Sequence, residues 1–256
     1  MTEQRTDPFR WRLSGRTSPS APHVVSMTWR HGLFVHWPVD PEALRTQLPD
    51  QVTLETRDGQ AWLSVLPFVL TDVGIRRTPS PFRTAFAELN VRTYVRYRGD
   101  PGLFFFSIDI GSSLVATLVD LVTRLPVSRA RMRVSGSDEG IVFSSTRLDD
   151  ASRTASADRV PAQFAATYRP DGPVFTPEPE TLAYWLVERR RFYAPANGGV
   201  LAGEIAHEPW PLQPATVTIH ENTLFAANDL PTPAADPVVH FCDELSMTGS
   251  ILRRLS

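Results

Sequence analysis

The stretch from Phe86 to Gly111 reads FAELNVRTYVRYRGDPGLFFFSIDIG and decides the fold class. Branched and aromatic residues fill both sides of Gly99-Asp100-Pro101-Gly102, a sequence typical of a turn, so the stretch predicts a β-hairpin. Because alternate side chains of a strand share one face, the first strand gathers four polar groups: Glu88, Asn90, Arg92 and Tyr94. The second strand sets its polar groups apart from a row of Phe and Ile: Ser107 and Asp109, beside Phe105. We therefore expect one apolar face and one polar, ionisable face.

The polar face has more than one interpretation. It could simply meet water, form a satisfied ion network inside a barrel, or line a ligand site. Glu88 and Arg92 are four strand residues apart, about 13 Å along the backbone, so they cannot pair as they would on a helix. Each side chain can instead form a hydrogen bond with Asn90, which lies two residues away on the same face. Tyr94 and Asp109 favour the pocket.

Composition narrows the classes of partner. The chain has 256 residues and a net charge of −2, which favours neither nucleic acid nor an anionic membrane. Its 26 basic residues are all arginines, so no side chain can form a Schiff base. Cys242 is the single cysteine, which excludes an intrachain disulfide and a thiolate metal cluster. No apolar run approaches a membrane span and no signal-peptide core is present, so we expect a cytoplasmic protein.

The distribution of turn and linker sequences along the chain predicts one domain. Residues 1–22 have no sustained period and suggest a loosely ordered arm, and residues 23–256 contain no dividing linker. Asp58-Gly59 is expected to join two strands, and further hairpins are expected later in the chain. Helical spacing covers 112–125, and a second helix is expected over 177–190 with Thr176 as its cap. Together, the expected strands and helices predict an α+β domain, mainly antiparallel, built around a curved sheet or barrel.

Other chemical signals are weak or have structural explanations. The chain lacks a Gly-x-Ser-x-Gly elbow, a phosphate loop and a recognised metal-ligand spacing, so we expect neither a metal nor a cofactor. Arg189 lies in a charged segment whose simplest interpretation is a solvent-exposed helix end. With its side chain turned inwards, Arg189 would instead contact a ligand. His207 and Trp210 stand beside prolines that could rim a pocket, although such a Trp is more often a packing anchor.

Four motifs in order resemble those of the DUF2071, or YqjF-like, family. They are Glu88-Leu-Asn-Val-Arg-Thr-Tyr-Val95, Phe104-Phe-Phe-Ser-Ile-Asp109, Trp185-Leu-Val-Glu-Arg189 and His207-Glu-Pro-Trp-Pro-Leu212. The resemblance runs from about Val24 to Leu255. It implies the fold of acetoacetate decarboxylase, a cone-shaped antiparallel β-barrel with flanking helices and a central cavity.

The mechanism of acetoacetate decarboxylase does not follow from this resemblance. That enzyme uses a lysine to form an imine, and its lysine segment corresponds in order to Leu125-Pro-Val-Ser-Arg-Ala130, where neither Ser128 nor Arg129 can replace it covalently. The resemblance thus implies a pocket without the Schiff-base chemistry.

Three hypotheses follow for function. The first is a protein that binds a small anionic or oxo-acid-like molecule, with Arg92 holding the anion; the expected ligand-binding residues are Glu88, Asn90, Arg92, Tyr94, Ser107, Asp109, Arg189, His207 and Trp210. The second is a lysine-independent lyase or hydrolase with Glu88 or Asp109 as general acid or base and Arg92 stabilising an anion. The third is a structural or partner-binding barrel, which predicts an interior filled by side chains. Each of the three hypotheses is compatible with a homo-oligomer.

Overall fold

A computed structural model describes residues 21–77, 79–113, 115–117, 125–148, 160–196 and 199–255. The predicted arm therefore lies outside the described residues except for Ala21 and Pro22, and so does most of the predicted 112–125 helix. Its start is described: Ser113 and residues 115–117 are helical, and the Val115 N–H donates to Ser112 Oγ at 3.4 Å.

The described residues form thirteen strands and three complete short α-helices, in addition to the helical start at Ser113. In chain order the strands are β1 (His23–Val39), β2 (Thr53–Leu54), β3 (Ala61–Ile75), β4 (Thr84–Tyr97), β5 (Asp100–Ile110), β6 (Val127–Ser137), β7 (Gly140–Arg147), β8 (Gln163–Pro170), β9 (Arg191–Ala196), β10 (Gly199–His207), β11 (Gln213–Asn222), β12 (Val238–Ser250) and β13 (Arg253–Leu255). The helices are α1 (Pro41–Arg45), α2 (Leu182–Val187) and α3 (Leu224–Ala227), and Ser80–Phe82 forms a 3-10 turn.

The strand pairings close two rings that share a wall. The wall is β12-β1-β3-β4-β5, and β9 and β10 close it into a seven-strand ring through the β5–β9 and β10–β12 pairings. On its other side β6, β7, β8 and β11 close the same wall into a nine-strand ring. All pairings are antiparallel except β5–β6 and β5–β9. The predicted mainly antiparallel barrel is confirmed.

Each face of the shared wall is buried against a different interior. Leu33, Val35 and Leu89 face the nine-strand ring, where they pack with residues of β7 and β8 such as Phe143 and Phe164. The alternate residues face the seven-strand ring, whose core includes Phe34, Trp62, Leu66, Phe68 and Tyr94. A strand buried on both faces has an almost continuous apolar sequence, as β1 has from Leu33 to Val39.

The central hairpin forms as predicted, with a tighter turn. β4 and β5 pair from Glu88↔Ile110 to Tyr97↔Asp100, and the two turn residues Arg98 and Gly99 have φ of +49° and +89°. Positive φ at both turn residues is the conformation that matches the twist of a hairpin. A register shift between Val91 and Arg92 marks a bulge in this ladder.

Two local predictions differ from the structure. Helix α2 begins after Thr181, whose hydroxyl accepts from the Tyr184 N–H, and not after Thr176. Pro177 and Pro179 disfavour helical backbone in the residues before them, and Glu180 has a φ of +75°. The Asp58-Gly59 turn is closed only by the Arg57–Gln60 bridge, while β2 pairs with β4 instead of β3.

α1 follows its sequence signals. The Asp40 carboxylate accepts from the Glu42 N–H at 3.1 Å, and Pro41 occupies the first helical position.

No helix among the described ranges has the length and hydropathy that crossing a membrane requires.

Candidate ligand-binding site

A row of polar side chains crosses the seven-strand face of the shared wall. His36 of β1 is directly opposite Ser64 of β3, and Ser64 is directly opposite Arg92 of β4. Residues opposite one another in a ladder share a face, so the three side chains enter one interior. All three are buried, and Asn90 and Glu88 continue the row along β4.

Arg92 has an unusual environment for a guanidinium. It is 7% exposed, and the described part of the chain offers it no ion pair. Its Nε has no hydrogen-bond partner among the described residues. Burial lowers the pKa of Arg92, while Tyr94 and Glu88 favour its charged form. Because arginine stays protonated in proteins, a cation is buried here with incomplete compensation.

Glu88 lies at the end of this row. Its Oε1 accepts from Asn90 Nδ2 at 3.3 Å, the tie predicted from their two-residue spacing. Burial raises the pKa of the Glu88 carboxyl to about 7, with a further contribution from Asp109, and Asn90 and Arg92 oppose the rise. Glu88 is therefore able to exchange a proton near neutral pH.

Arg189 reaches the same interior from the segment after α2. Its Nη1 donates to Glu55 Oε2 at 3.0 Å, its Nε donates to the Trp185 carbonyl at 2.9 Å, and it lies over the Trp185 and Tyr94 rings. The two arginines thus flank Tyr94. Glu55 neutralises Arg189, so net positive charge stays with Arg92.

His207 and Trp210 lie on an aromatic side of the interior. Their rings are 4.7 Å apart, and Trp210 makes edge contacts with Trp29 and Phe34. Burial lowers the pKa of His207 to about 3, and the charge of Arg190 acts in the same direction. His207 is therefore a neutral ring at physiological pH.

Unpaired hydrogen-bonding groups accumulate on this side of the wall. Among the described residues, nine buried polar atoms of this interior and its border have no partner, and six of the nine can only donate: Nε1 of Trp29, Trp62 and Trp210, Nε of Arg92, Nη2 of Arg189 and Nη1 of Arg190. The others are Asn90 Oδ1, His36 Nε2 and His240 Nδ1. Buried polar groups in proteins are normally paired, and an excess of donors is complementary to an anion.

A family model matches residues 26–246, described as an uncharacterized conserved protein family, DUF2071. The chain belongs to the DUF2071 family. The Bacillus subtilis protein YqjF, described as uncharacterized, is 36% identical over 248 residues, which is 96% of this chain and 99% of YqjF. The resemblance found in the four motifs is thereby confirmed.

Solved structures show the same fold at low identity. The enduracididine biosynthesis enzyme MppR complexed with pyruvate has a TM-score of 0.61 and 16% identity, covering 95% of this DUF2071 chain and 93% of MppR. Acetoacetate decarboxylase from Legionella pneumophila has a TM-score of 0.52 and 14% identity, covering 96% of this chain and 94% of that enzyme. An acetoacetate decarboxylase-like enzyme from Sphingomonas wittichii has a TM-score of 0.55 and 12% identity, covering 92% of this chain and 94% of that enzyme. The predicted acetoacetate decarboxylase-like fold is confirmed.

The expected ligand-binding residues separate into two groups. Those that enter or border the seven-strand interior are Glu88, Asn90, Arg92, Tyr94, Arg189, His207 and Trp210. Ser107 and Asp109 do not join them. Asp109 is opposite Leu89 and Ser107 is opposite Val91, so both face the nine-strand ring. The expectation of one polar face spanning both strands of the hairpin is wrong. The ladder register turns Ser107 and Asp109 towards the opposite interior, and both faces of the wall are buried.

Asp109 has its own counter-ion on the nine-strand side. Arg147 Nε donates to Asp109 Oδ1 at 2.8 Å, and the Asp109 side chain is fully buried. Burial raises the pKa of Asp109, while Arg147 lowers it. This environment is that of an ion pair between β5 and β7, separated from Arg92 by the wall.

Sequence reasoning missed His36 and its partners. His36 Nδ1 lies 2.7 Å from Ser64 Oγ, and Ser64 Oγ lies 2.8 Å from the Tyr94 hydroxyl. The signal that could have identified His36 is a single ionisable residue inside the apolar run Leu33–Val39. No group of three or more His, Cys, Asp or Glu residues within the described ranges could hold a metal ion.

Proposed function

We propose that this DUF2071 protein binds a small carboxylic acid inside the seven-strand ring, with Arg92 as the anion anchor. The observation that carries the proposal is the buried Arg92 guanidinium, which has no ion pair within the described part of the chain. A carboxylate would supply the missing charge and acceptors, and a buried charge-assisted bond is among the stronger polar contacts. The surrounding excess of donors supports the same class of ligand.

The rest of the interior supports a ligand with an apolar part. Trp29, Phe34 and Trp210 pack against one another beside the polar row. Binding sites commonly combine apolar walls with a few convergent polar groups. MppR, which has the same fold, is described in complex with pyruvate, and this also favours a short acid.

Imine chemistry with a lysine is not part of this proposal, since the chain contains no lysine.

The single cysteine favours the cytoplasm as the location of this protein.

Calorimetric titration with short carboxylic acids tests the proposal. Wild-type protein should bind at least one acid, and Arg92→Gln, which keeps most of the side-chain length without the charge, should bind it at least tenfold more weakly. Arg133→Gln removes an exposed arginine from β6 and is the matched control. Equal affinity of Arg92→Gln and wild type for every acid that binds would exclude Arg92 as the anchor.

A second candidate function rests on Glu88. Its carboxyl has a pKa of about 7 and lies in the same row as Arg92, an arrangement suited to a general acid or base beside an anion-stabilising group. A lysine-independent reaction would then depend on Glu88 alone, because Asp109 faces the other ring. Turnover of a bound acid that survives Glu88→Gln would exclude this function and leave binding as the activity.

A further inference from the structure

A hydrogen-bonded chain lies beside the proposed anion site and ends at His36. His36 Nδ1 is 2.7 Å from Ser64 Oγ, Ser64 Oγ is 2.8 Å from the Tyr94 hydroxyl, and that hydroxyl is 3.0 Å from the Leu186 carbonyl oxygen. The three side chains are completely buried. The backbone of α2 supplies the terminal acceptor.

Counting protons among these groups indicates the tautomer of His36. Four contacts join them, because the Tyr94 hydroxyl also lies 3.2 Å from His36 Nδ1, and Ser64 and Tyr94 carry only one proton each. The Leu186 carbonyl can only accept, so Tyr94 donates to it and Ser64 then donates to the Tyr94 oxygen. The two contacts made by His36 Nδ1, with Ser64 and with Tyr94, then need a proton on Nδ1. A proton on Nε2 instead would leave lone pairs facing each other in both contacts.

With its proton on Nδ1, His36 presents a lone pair at Nε2. This atom is buried and has no partner in the described part of the chain. Burial keeps the pKa of His36 well below its ordinary value, and the charges of Arg92 and His240 act in the same direction, so the ring stays neutral. Nε2 is thus an acceptor on a side of the wall where most unpaired groups are donors.

The ladder fixes the separation of His36 from Arg92. The two residues are on β1 and β4, and each is directly opposite Ser64 on the intervening strand β3. Two strand spacings place their backbones about 10 Å apart. Both side chains enter the same interior from these positions, and the charge of Arg92 acts on the His36 ring.

We propose that His36 Nε2 accepts a hydrogen bond from a hydroxyl group of the ligand, so that the ligand is a hydroxycarboxylic acid held between Arg92 and His36. This inference rests on the proposed function, because Arg92 supplies the carboxylate site. It narrows the ligand class, since an oxo group has no proton to offer Nε2 and a simple acid leaves Nε2 unpaired. An unpaired buried acceptor weakens binding by about ten- to a hundredfold.

The tautomer is tested directly by nitrogen-15 NMR of histidine-labelled protein, with His36 assigned by comparison with His36→Asn. The expected spectrum has a protonated Nδ1 and an unprotonated Nε2 at pH 7, with no change on lowering the pH to 5.5. A proton on Nε2 in the wild-type protein would overturn the inference.

Ligand preference is tested with acids matched in size. Lactate is compared with propionate and pyruvate, and mandelate with phenylacetate, by calorimetry on the wild-type protein, His36→Asn and His36→Gln. Asn places a polar atom near the position of Nδ1 and removes Nε2, whereas Gln can place an acceptor near Nε2. The wild type should prefer the hydroxy acid of at least one set by tenfold or more. His36→Asn should lose that preference while still binding the simple acid, and His36→Gln should retain part of it.

The outcomes separate this inference from the proposed function. If acids bind in an Arg92-dependent manner but the hydroxyl gives no advantage, or the advantage survives in His36→Asn, the inference is wrong and the proposed function stands. If no acid binds the wild type, both are wrong. Hydroxy-acid preference that depends on His36 and is partly restored by Gln supports both.

Discussion

Asp109 Oδ1 lies 2.8 Å from Arg147 Nε, on the face of the shared wall opposite to the face that carries Arg92. The Asp109 carboxyl is fully buried, while the Arg147 side chain is 20% exposed. Removing the arginine would leave a buried carboxylate without a counter-ion, which costs about 3 kcal/mol. Arg147→Met should therefore lower the free energy of unfolding by about that amount, measured by urea denaturation at pH 7.

The double variant Asp109→Asn/Arg147→Met should recover part of this loss, because no charge is then left uncompensated. Arg133→Met on the neighbouring strand β6 changes an exposed arginine and should stay within about 0.5 kcal/mol of the wild type. An unchanged urea midpoint for Arg147→Met would show that the pair does not stabilise the nine-strand ring.

The raised pKa of Glu88 predicts a pH-dependent stability. Its pKa is about 7 in the folded protein, above its ordinary value of 4.5, so the folded state binds the proton more tightly than the unfolded state does. The resulting stabilisation is fully present below pH 4.5 and is lost as the pH rises through 7. Replacing Glu88 by Gln should remove this dependence. The unfolding free energy of Glu88→Gln relative to wild type should rise between pH 5 and pH 8 by as much as about 3 kcal/mol.

Chemical denaturation of both proteins across this pH range provides the measurement. A constant difference between the two proteins would contradict the raised pKa. A difference that grows towards acidic pH would mean that Arg92 outweighs burial at Glu88 and lowers its pKa.

Glu55 is expected to stabilise the border of the seven-strand ring. It accepts from Arg189, Arg96 and the Trp185 indole at 3.0, 3.0 and 3.2 Å, and its side chain is 9% exposed. Glu55→Gln leaves the buried Arg189 without a counter-ion and should destabilise the fold by about 3 kcal/mol in thermal or chemical denaturation. Glu42→Gln, in an exposed pair with Arg45, should change stability by less than about 0.5 kcal/mol. Equal effects of the two variants on stability would show that Glu55 does not stabilise the fold more than an exposed ion pair does.

The sequence could predict the hairpin and the polar set on β4, because strand alternation is a local property. Glu88, Asn90 and Arg92 share a face as their spacing requires. The position of Asp109 could not be predicted in the same way. Its face depends on the ladder register, and the register places it opposite Leu89. Since both faces of the wall are buried, the apolar pattern of β5 does not say which interior a given side chain enters.

The His36 network was beyond sequence reasoning for a related reason. Ser64 and Tyr94 are 28 and 58 positions away from His36 along the chain, so only the β1-β3-β4 pairing brings them together. Within the sequence, His36 is one polar residue in a run typical of a strand buried on both faces. The tautomer proposed for His36 depends on the hydrogen bond that the Tyr94 hydroxyl donates to the Leu186 carbonyl near the end of α2.

Cys242 offers a probe of the seven-strand ring that needs no substitution. Its thiol is completely buried in the core of that ring, and burial raises its pKa to about 12. The thiolate is the reactive form, so the native thiol should react with iodoacetamide at pH 8 far more slowly than in the unfolded chain. Mass spectrometry gives an unambiguous readout, because the sequence has a single cysteine. Labelling should slow further when a bound acid stabilises the ring, because only the opened protein exposes the thiol. Native labelling as fast as in guanidinium chloride would contradict the buried position of Cys242.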